Sequence, residues 1–184
     1  MNNKRITGLL ACDPRGVIGN KGALPWLYPE ELNHFRQTTF GQIMIMGNKT
    51  FESIPSTTLK DRFNIVFSRN SSKRLDYADN VIFIPSLNDF LALKNIPADK
   101  EMFMIGGAEI AKLFLNTDLL NAFILTKIHD NYEGDTIFPL DLLQDWSCQT
   151  LKENKDFTVY KYTKRSPDMN FSNTSPFSLG IGKC

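Results

Sequence analysis

Histidine is scarce in this chain of 184 residues: His34 and His129 are the only two. They do not have metal-ligand spacing, so a zinc centre or a Ser-His-Asp triad has little support. Cysteine is nearly as rare. Cys12, Cys148 and Cys184 lie far apart, a pattern that suggests no disulfide framework and fits a reducing cytoplasm. No apolar run approaches the ~20 residues of a membrane-crossing helix. The basic start MNNKRITGLLAC has too short an apolar part for a secretory signal. With formal net charge +1, no global field draws the protein to nucleic acid or anionic lipid, so any bound anion must be held by a local cluster. The Asn-x-Ser/Thr triplets at Asn48, Asn70, Asn170 and Asn173 are then chance matches.

What is present suits a single soluble domain: 42 % hydrophobic and 22 % charged residues, over a length that can bury a substantial core. Short apolar runs at 6–12, 43–46, 63–67, 81–84, 102–105 and 123–128 predict strands. Several are continuous rather than alternating, as expected when both faces are covered. Helical patterns at 30–40, 49–54, 87–93 and 108–115 lie between them. That alternation predicts a mostly parallel sheet between helices. Two late strands, 146–151 and 156–163, have no helix between them and predict an antiparallel hairpin at the edge.

DPRG at 13–16 places Asp, Pro and Gly as a type I turn prefers, and GNKG at 19–22 adds a second bend. Together they make a long segment before the first helix, a common site for a ligand-covering loop. From residue 165 the chain turns rich in Ser, Asn, Pro and Gly without periodicity. The domain is expected over 1–164 and a flexible tail over 165–184.

The stretch LPWLYPEELNHF, residues 24–35, sets two glutamates just after a helix start. Pro29 suits the first helical position. Spacing then separates the pair, because residues three and four apart share a face. Glu30 aligns with Asn33, His34 and Gln37 and faces water. Glu31 aligns with Phe35, beside Leu32, on the apolar side. Both acids complement the helix dipole. An acid on an apolar face also needs a donor, because an unpaired buried carboxylate is costly, and a ligand is one source of it.

MIGGAEI at 104–110 runs from a strand through two glycines into a helix, a plan that lets backbone amides approach a phosphate. A tight structural turn reads the same way. MGNKTFESI at 46–54 repeats the plan with Lys49 and Thr50. FSRNSSKR at 67–74 gathers Arg69, Lys73 and Arg74, either as a solvated loop or as a phosphate reader. GIGKC at the end lacks the following helix of a phosphate loop.

Taken together, GVIGNKGALPW, PEELNHFR, IMGNKTFESIP, RFNIVFSR, MIGGAEI and EGDTIFP resemble the dihydrofolate reductase family, in order and spacing, over about residues 5–164. The resemblance implies a three-layer α/β/α fold around an eight-stranded, mostly parallel sheet with an antiparallel C-terminal strand. It implies NADPH-dependent reduction of 7,8-dihydrofolate by hydride transfer to C6 with protonation of N5. Glu31 matches the pocket acid that accepts two hydrogen bonds from the pterin, Thr126 the threonine that supports it, and Trp26 the residue that organises water beside it. Leu24 falls in the mobile loop over the nicotinamide. Leu32, Phe35, Ile54 and Leu59 match the apolar pocket lining, Leu9 and Ile105 the carbonyls facing the pterin, and Arg62 the partner of the substrate's α-carboxylate.

For the cofactor the resemblance implies Ala11, Ile18, Gly19 and Asn20 at the nicotinamide end, with Thr136 from EGDTIFP. It puts Gly47, Asn48, Lys49, Thr50, Gly106, Gly107, Ala108, Glu109 and Ile110 about the pyrophosphate, and Ser68 and Arg69 at the 2′-phosphate. Gly106–Gly107 matches a family cis peptide. Expected partners are dihydrofolate and antifolates such as diaminopyrimidines, with no metal, nucleic acid or membrane, and the enzyme is expected to be a cytoplasmic monomer. Two positions depart from the pattern: Asn48 stands where many members carry Arg or Lys, and Ala111 where an aromatic ring usually lies. The pyrimidinone reductase of riboflavin synthesis shares the fold and NADPH, but Trp26, Glu31 and Arg62 favour a folate. A protein that binds NADPH or folate without turnover is the reading from another class.

Overall fold

The apolar runs become strands whose side chains alternate between two covered faces, as the two-residue period of a strand requires. The computed structural model describes residues 5–69, 79–94 and 96–165. The tail beyond 165, Lys73 and Arg74 lie outside the described residues. In chain order the elements are β1 (Ile6–Cys12), β2 (Val17–Gly19), α1 (Pro29–Thr39), β3 (Ile43–Gly47), α2 (Asn48–Ser53), α3 (Ser56–Leu59), β4 (Phe63–Phe67), β5 (Val81–Ile84), α4 (Leu87–Ala92), β6 (Met102–Met104), α5 (Ala108–Leu115), β7 (Leu120–Ile128), β8 (Thr136–Ile137), a 3-10 turn (Leu140–Leu143), β9 (Ser147–Glu153) and β10 (Phe157–Thr163).

Eight strands form one sheet in the order β5-β4-β3-β6-β1-β7-β10-β9. All neighbouring pairs from β5 to β7 are parallel. β10 is antiparallel to both β7 and β9, so it alone runs against the rest. The mostly parallel sheet with a reversed C-terminal strand is therefore present as expected. Three features were not read from the sequence: α3, a single turn; the 3-10 turn at Leu140–Leu143; and the two-stranded ladder of β2 with β8.

One face carries Leu9, Met44, Met46, Val66, Phe83, Phe103 and Ile105, and packs against Phe35 of α1 and Phe51 of α2. The other carries Ile6, Cys12, Ile43, Ile45, Ile65 and Met104, and packs against Phe90 of α4 and Ala111 and Phe114 of α5. Each fully buried Phe or Ile of this kind contributes roughly 1.5–3 kcal/mol. Cys12 is a free thiol in this interior, and burial pushes its pKa up to about 12. No helix among the described residues is long and apolar enough to cross a membrane.

Candidate active site

In open parallel sheets, ligands bind beyond the carboxyl ends of the strands, where the chain reverses its order. The chain steps outward from β3 through β4 to β5, then returns to insert β6 between β3 and β1. The candidate residues gather at those ends: Ala11 late in β1, Gly47 closing β3, Ser68 after β4, Ile105 after β6 and Thr126 late in β7.

Helix α1 starts at Pro29, with Tyr28 as an N-cap that makes no side-chain bond. The register then divides the glutamates as their spacing predicts. Glu30 is exposed and accepts a hydrogen bond from Asn154 Nδ2. Glu31 is 6 % exposed, and its Oε2 is buried without a partner among the described residues. Desolvation raises its pKa to about 7, while the Trp26 indole works in the opposite direction. The indole Nε1–H is nevertheless buried and makes no hydrogen bond of its own among the described residues. A donor and an acceptor thus lie unsatisfied in one small region. The face shared with Glu30 is drier than its composition implies: His34 Nε2 is buried and unpartnered, and burial, then Lys152, lowers that ring's pKa.

Around the acid, Leu9 and Ile105 belong to one apolar cluster, against which Phe35, Ile54 and Leu59 pack. Leu32 is half-buried on the same helix. Thr126 is buried, paired in register with Ala11 and Val159. Its hydroxyl makes no hydrogen bond to Glu31 among the described residues, so direct support of the acid is not seen. Arg62 differs from its simple picture as a free carboxylate fork. It is 4 % exposed, and it donates from Nε to Thr39 Oγ1 (2.9 Å), from Nη1 to the Thr58 carbonyl (2.6 Å) and from Nη2 to the Arg36 carbonyl (2.7 Å). A guanidinium has five N–H donors, so two remain. Arg62 lines a cavity with Arg36, Gln37, Phe40, Thr57, Thr58 and Asp61.

The nucleotide-side candidates are built differently. Gly47 N–H donates to the Gly106 carbonyl at 2.9 Å, joining the two glycine turns. The Gly106–Gly107 peptide is cis, as expected. A Cβ on Gly47 would lie 3.2 Å from Ile110 Cγ1, and one on Gly107 would lie 3.3 Å from Thr50 Oγ1. The glycines therefore leave a shallow backbone cradle between the starts of α2 and α5, which carry Lys49 and Ala108–Glu109. Asn48 Oδ1 is buried there without a partner among the described residues. Arg69 is exposed and Ser68 half-buried. Ala111 is wholly buried in the core of the opposite face, so it does not line this cradle.

The dihydrofolate reductase family model matches residues 5–166. The chain belongs to the dihydrofolate reductase family. It is 35 % identical over 167 residues to the dihydrofolate reductase of Lactococcus lactis, covering 86 % of this chain and 97 % of that protein. The Bacillus subtilis dihydrofolate reductase is 35 % identical over 169 residues, covering 88 % and 95 %. A bifunctional dihydrofolate reductase-thymidylate synthase of Paramecium tetraurelia is 37 % identical over 160 residues, 87 % of this chain and 34 % of that longer protein.

In this dihydrofolate reductase the loop ahead of α1 is fastened at both ends, by residues that the sequence did not mark as functional. Asp13 is wholly buried, and accepts from the backbone N–H of Arg15 (2.8 Å), Val17 (2.8 Å) and Tyr132 (3.1 Å). Burial alone would raise its pKa, but these donors and the Arg15 side chain hold it below its ordinary value. The Gly16 N–H donates to the Asp13 carbonyl at 3.0 Å, so DPRG is the expected turn. At the far end Asp135 accepts from the Lys21 N–H (3.0 Å) and the Thr136 hydroxyl (2.9 Å), which lower its pKa. Gly19 carbonyl accepts from the Asp135 N–H at 3.1 Å. Ile18, Gly19 and Asn20 are thereby held beside Thr136, while Leu24 remains 46 % exposed. DPRG was the local signal for Asp13; Tyr132 carried none.

Proposed function

We propose that this oxidoreductase reduces 7,8-dihydrofolate to 5,6,7,8-tetrahydrofolate with NADPH, the hydride going to C6 and a proton to N5. The observation that carries this reading is Glu31: one buried carboxylate with an unpartnered oxygen, set among Leu9, Phe35, Ile54, Leu59 and Ile105. A flat heterocycle whose amidine-like edge offers two N–H donors satisfies both oxygens at once, and orients the ring for reaction. Donation to the charged form lowers the acid's pKa in the complex. A water held between the Trp26 N–H and Glu31 satisfies both orphaned groups and delivers the N5 proton.

NADPH, when bound, supplies the hydride. The residues present fit it: the cradle of Gly47, Gly106 and Gly107 admits a pyrophosphate against backbone, with Lys49 and Thr50 beside it and Ser68 and Arg69 available to the 2′-phosphate. Ala11, Ile18, Gly19 and Asn20 border the nicotinamide end. Arg62 reads the substrate's α-carboxylate with its two remaining donors. The same reading takes the enzyme as a cytoplasmic monomer built from residues 1–164, with dihydrofolate and antifolates as small-molecule partners. Adding dihydrofolate to enzyme and NADPH should consume NADPH absorbance. No consumption would sink the proposal.

A further inference from the structure

The geometry points to Tyr132 as a positioning residue that fixes the Trp26 indole beside Glu31; this rests on the reading that Trp26 orders the proton-bearing water. Residues 24–28 carry Trp26 on irregular backbone outside both ladders. Next to it, Leu27 is 78 % exposed. Within that segment only Tyr28 joins the apolar cluster around the indole; Ile128, Phe157 and Val159 pack in the same cluster from β7 and β10, and the ring-to-ring contact comes from Tyr132.

Tyr132 acts at three points. Its ring meets the Trp26 ring edge-on, centroids 5.5 Å apart and planes at 61°, an arrangement favoured by the aromatic quadrupole. Its hydroxyl is 2.8 Å from the Tyr28 hydroxyl. Tyr28 gives its one proton to Asp130 Oδ2 at 3.2 Å, so Tyr132 is the donor in the tyrosine pair. The Tyr132 backbone is held as well, by its N–H to Asp13 Oδ2 at 3.1 Å and by Arg15 Nη2 to its carbonyl at 2.5 Å. One side chain therefore grips the Trp-Leu-Tyr segment at both ends, from a backbone anchored on a buried carboxylate. Rotation of the indole would swing its N–H away from Glu31 and slow proton delivery, with little effect on the apolar pocket that holds the substrate.

The test is a double-mutant cycle in single-turnover reduction at saturating NADPH, using Tyr132→Leu, Trp26→Phe and both together. Tyr132→Leu should slow reduction about tenfold and leave the KM for dihydrofolate within twofold, and Tyr132→Phe, which keeps the ring, should restore most of the rate. With Trp26→Phe already present, Tyr132→Leu should cost less than a further twofold, because its effect runs through the indole. A full tenfold loss in that background overturns the inference, as does an unchanged rate in Tyr132→Leu alone while Trp26→Phe is slow. If Trp26→Phe itself is as fast as wild type, the role of Trp26 fails and this inference fails with it. Should Tyr132→Leu not fold, Tyr132→Met takes its place in the same cycle.

Discussion

The two halves of the site are made from different materials. On the proposed substrate side, side chains dominate: a buried carboxylate, a ring of apolar residues and an arginine already engaged by three protein oxygens. On the proposed cofactor side, glycines at strand ends bring backbone to the surface, while the charged side chains Lys49 and Arg69 stand in solvent. A preformed interior holds its groups at a standing cost in stability, most plainly at Glu31. An exposed rim carries little such cost, but its contacts are screened by salt. Selectivity is thus stored as desolvation in one half and as surface charge in the other.

The largest expected effect falls on the buried acid. Its pKa is 4.5 unfolded and about 7 folded, so the folded state keeps a proton that the unfolded chain releases. Stability is complete below pH 4.5 and is lost as pH rises through 7. At pH 8 the loss approaches about 3 kcal/mol, since each tenfold change in proton affinity is worth roughly 1.36 kcal/mol. Glu31→Gln should therefore be the more stable protein at pH 8 by up to that amount, with the difference vanishing near pH 4.5. Denaturant melts across that range would show it, and a pH-independent difference would contradict the desolvated acid. The same variant should lose at least tenfold in kcat/KM, about 1.4 kcal/mol of transition-state stabilisation or more.

Next in size is the pH dependence of the reaction. If the Glu31 region supplies the proton, the protonated form is the active one: kcat/KM, which reports the free enzyme, should fall as pH rises above about 7, approaching tenfold for each further pH unit, and the fall in single-turnover reduction of the complex should begin at lower pH. Glu31→Gln should flatten that limb in stopped-flow traces. A wild-type limb unchanged by this variant would place the titrating group elsewhere.

On the exposed side effects should be smaller and salt-sensitive. Arg69→Ala should weaken NADPH about tenfold and NADH little, since a charge-assisted bond to the 2′-phosphate is lost; raising ionic strength should narrow the gap. Equal losses for both cofactors would remove Arg69 as the 2′-phosphate reader and bring Lys73 or Arg74 forward. Asn48→Arg should tighten NADPH several-fold at low salt. Smallest of all, Glu30→Gln should leave kcat/KM within twofold, because that carboxylate is exposed and its hydrogen bond among the described residues is to Asn154. A tenfold loss there would erase the distinction between the two glutamates.

How much could be read in advance followed the range of each interaction. Pro29 and the two glutamates were legible because helix periodicity acts over three or four residues, and the strands because burial on both faces leaves continuous apolar runs. The turn at 13–16 was legible for the same reason. The clasp between Asp13 and Tyr132 was not, since the contact spans 119 positions and Tyr132 carries no local signature. The β2–β8 ladder escaped because β8 is two residues long and its pairing is decided by the distant β2. Arg62 was named only through the resemblance that RFNIVFSR helps to carry, and its three internal acceptors come from α1 and α3, whose approach no motif in the sequence states.

The alternation of each strand between its two faces also governs which changes of length the gene can survive. Thr126 and Ile124 look toward the site while Phe123 and Leu125 look into the opposite core. Deleting one codon inside β7 would send every downstream side chain to the wrong face at once. The threonine would enter an aromatic interior, and Lys127 would take its place on the face toward the site. Such frame-preserving deletions should be as damaging in the middle of β1, β3 or β7 as they are tolerable in the connections. Drift in length should therefore be confined to the loops, and a deletion scan read by folding yield would trace the sheet strand by strand.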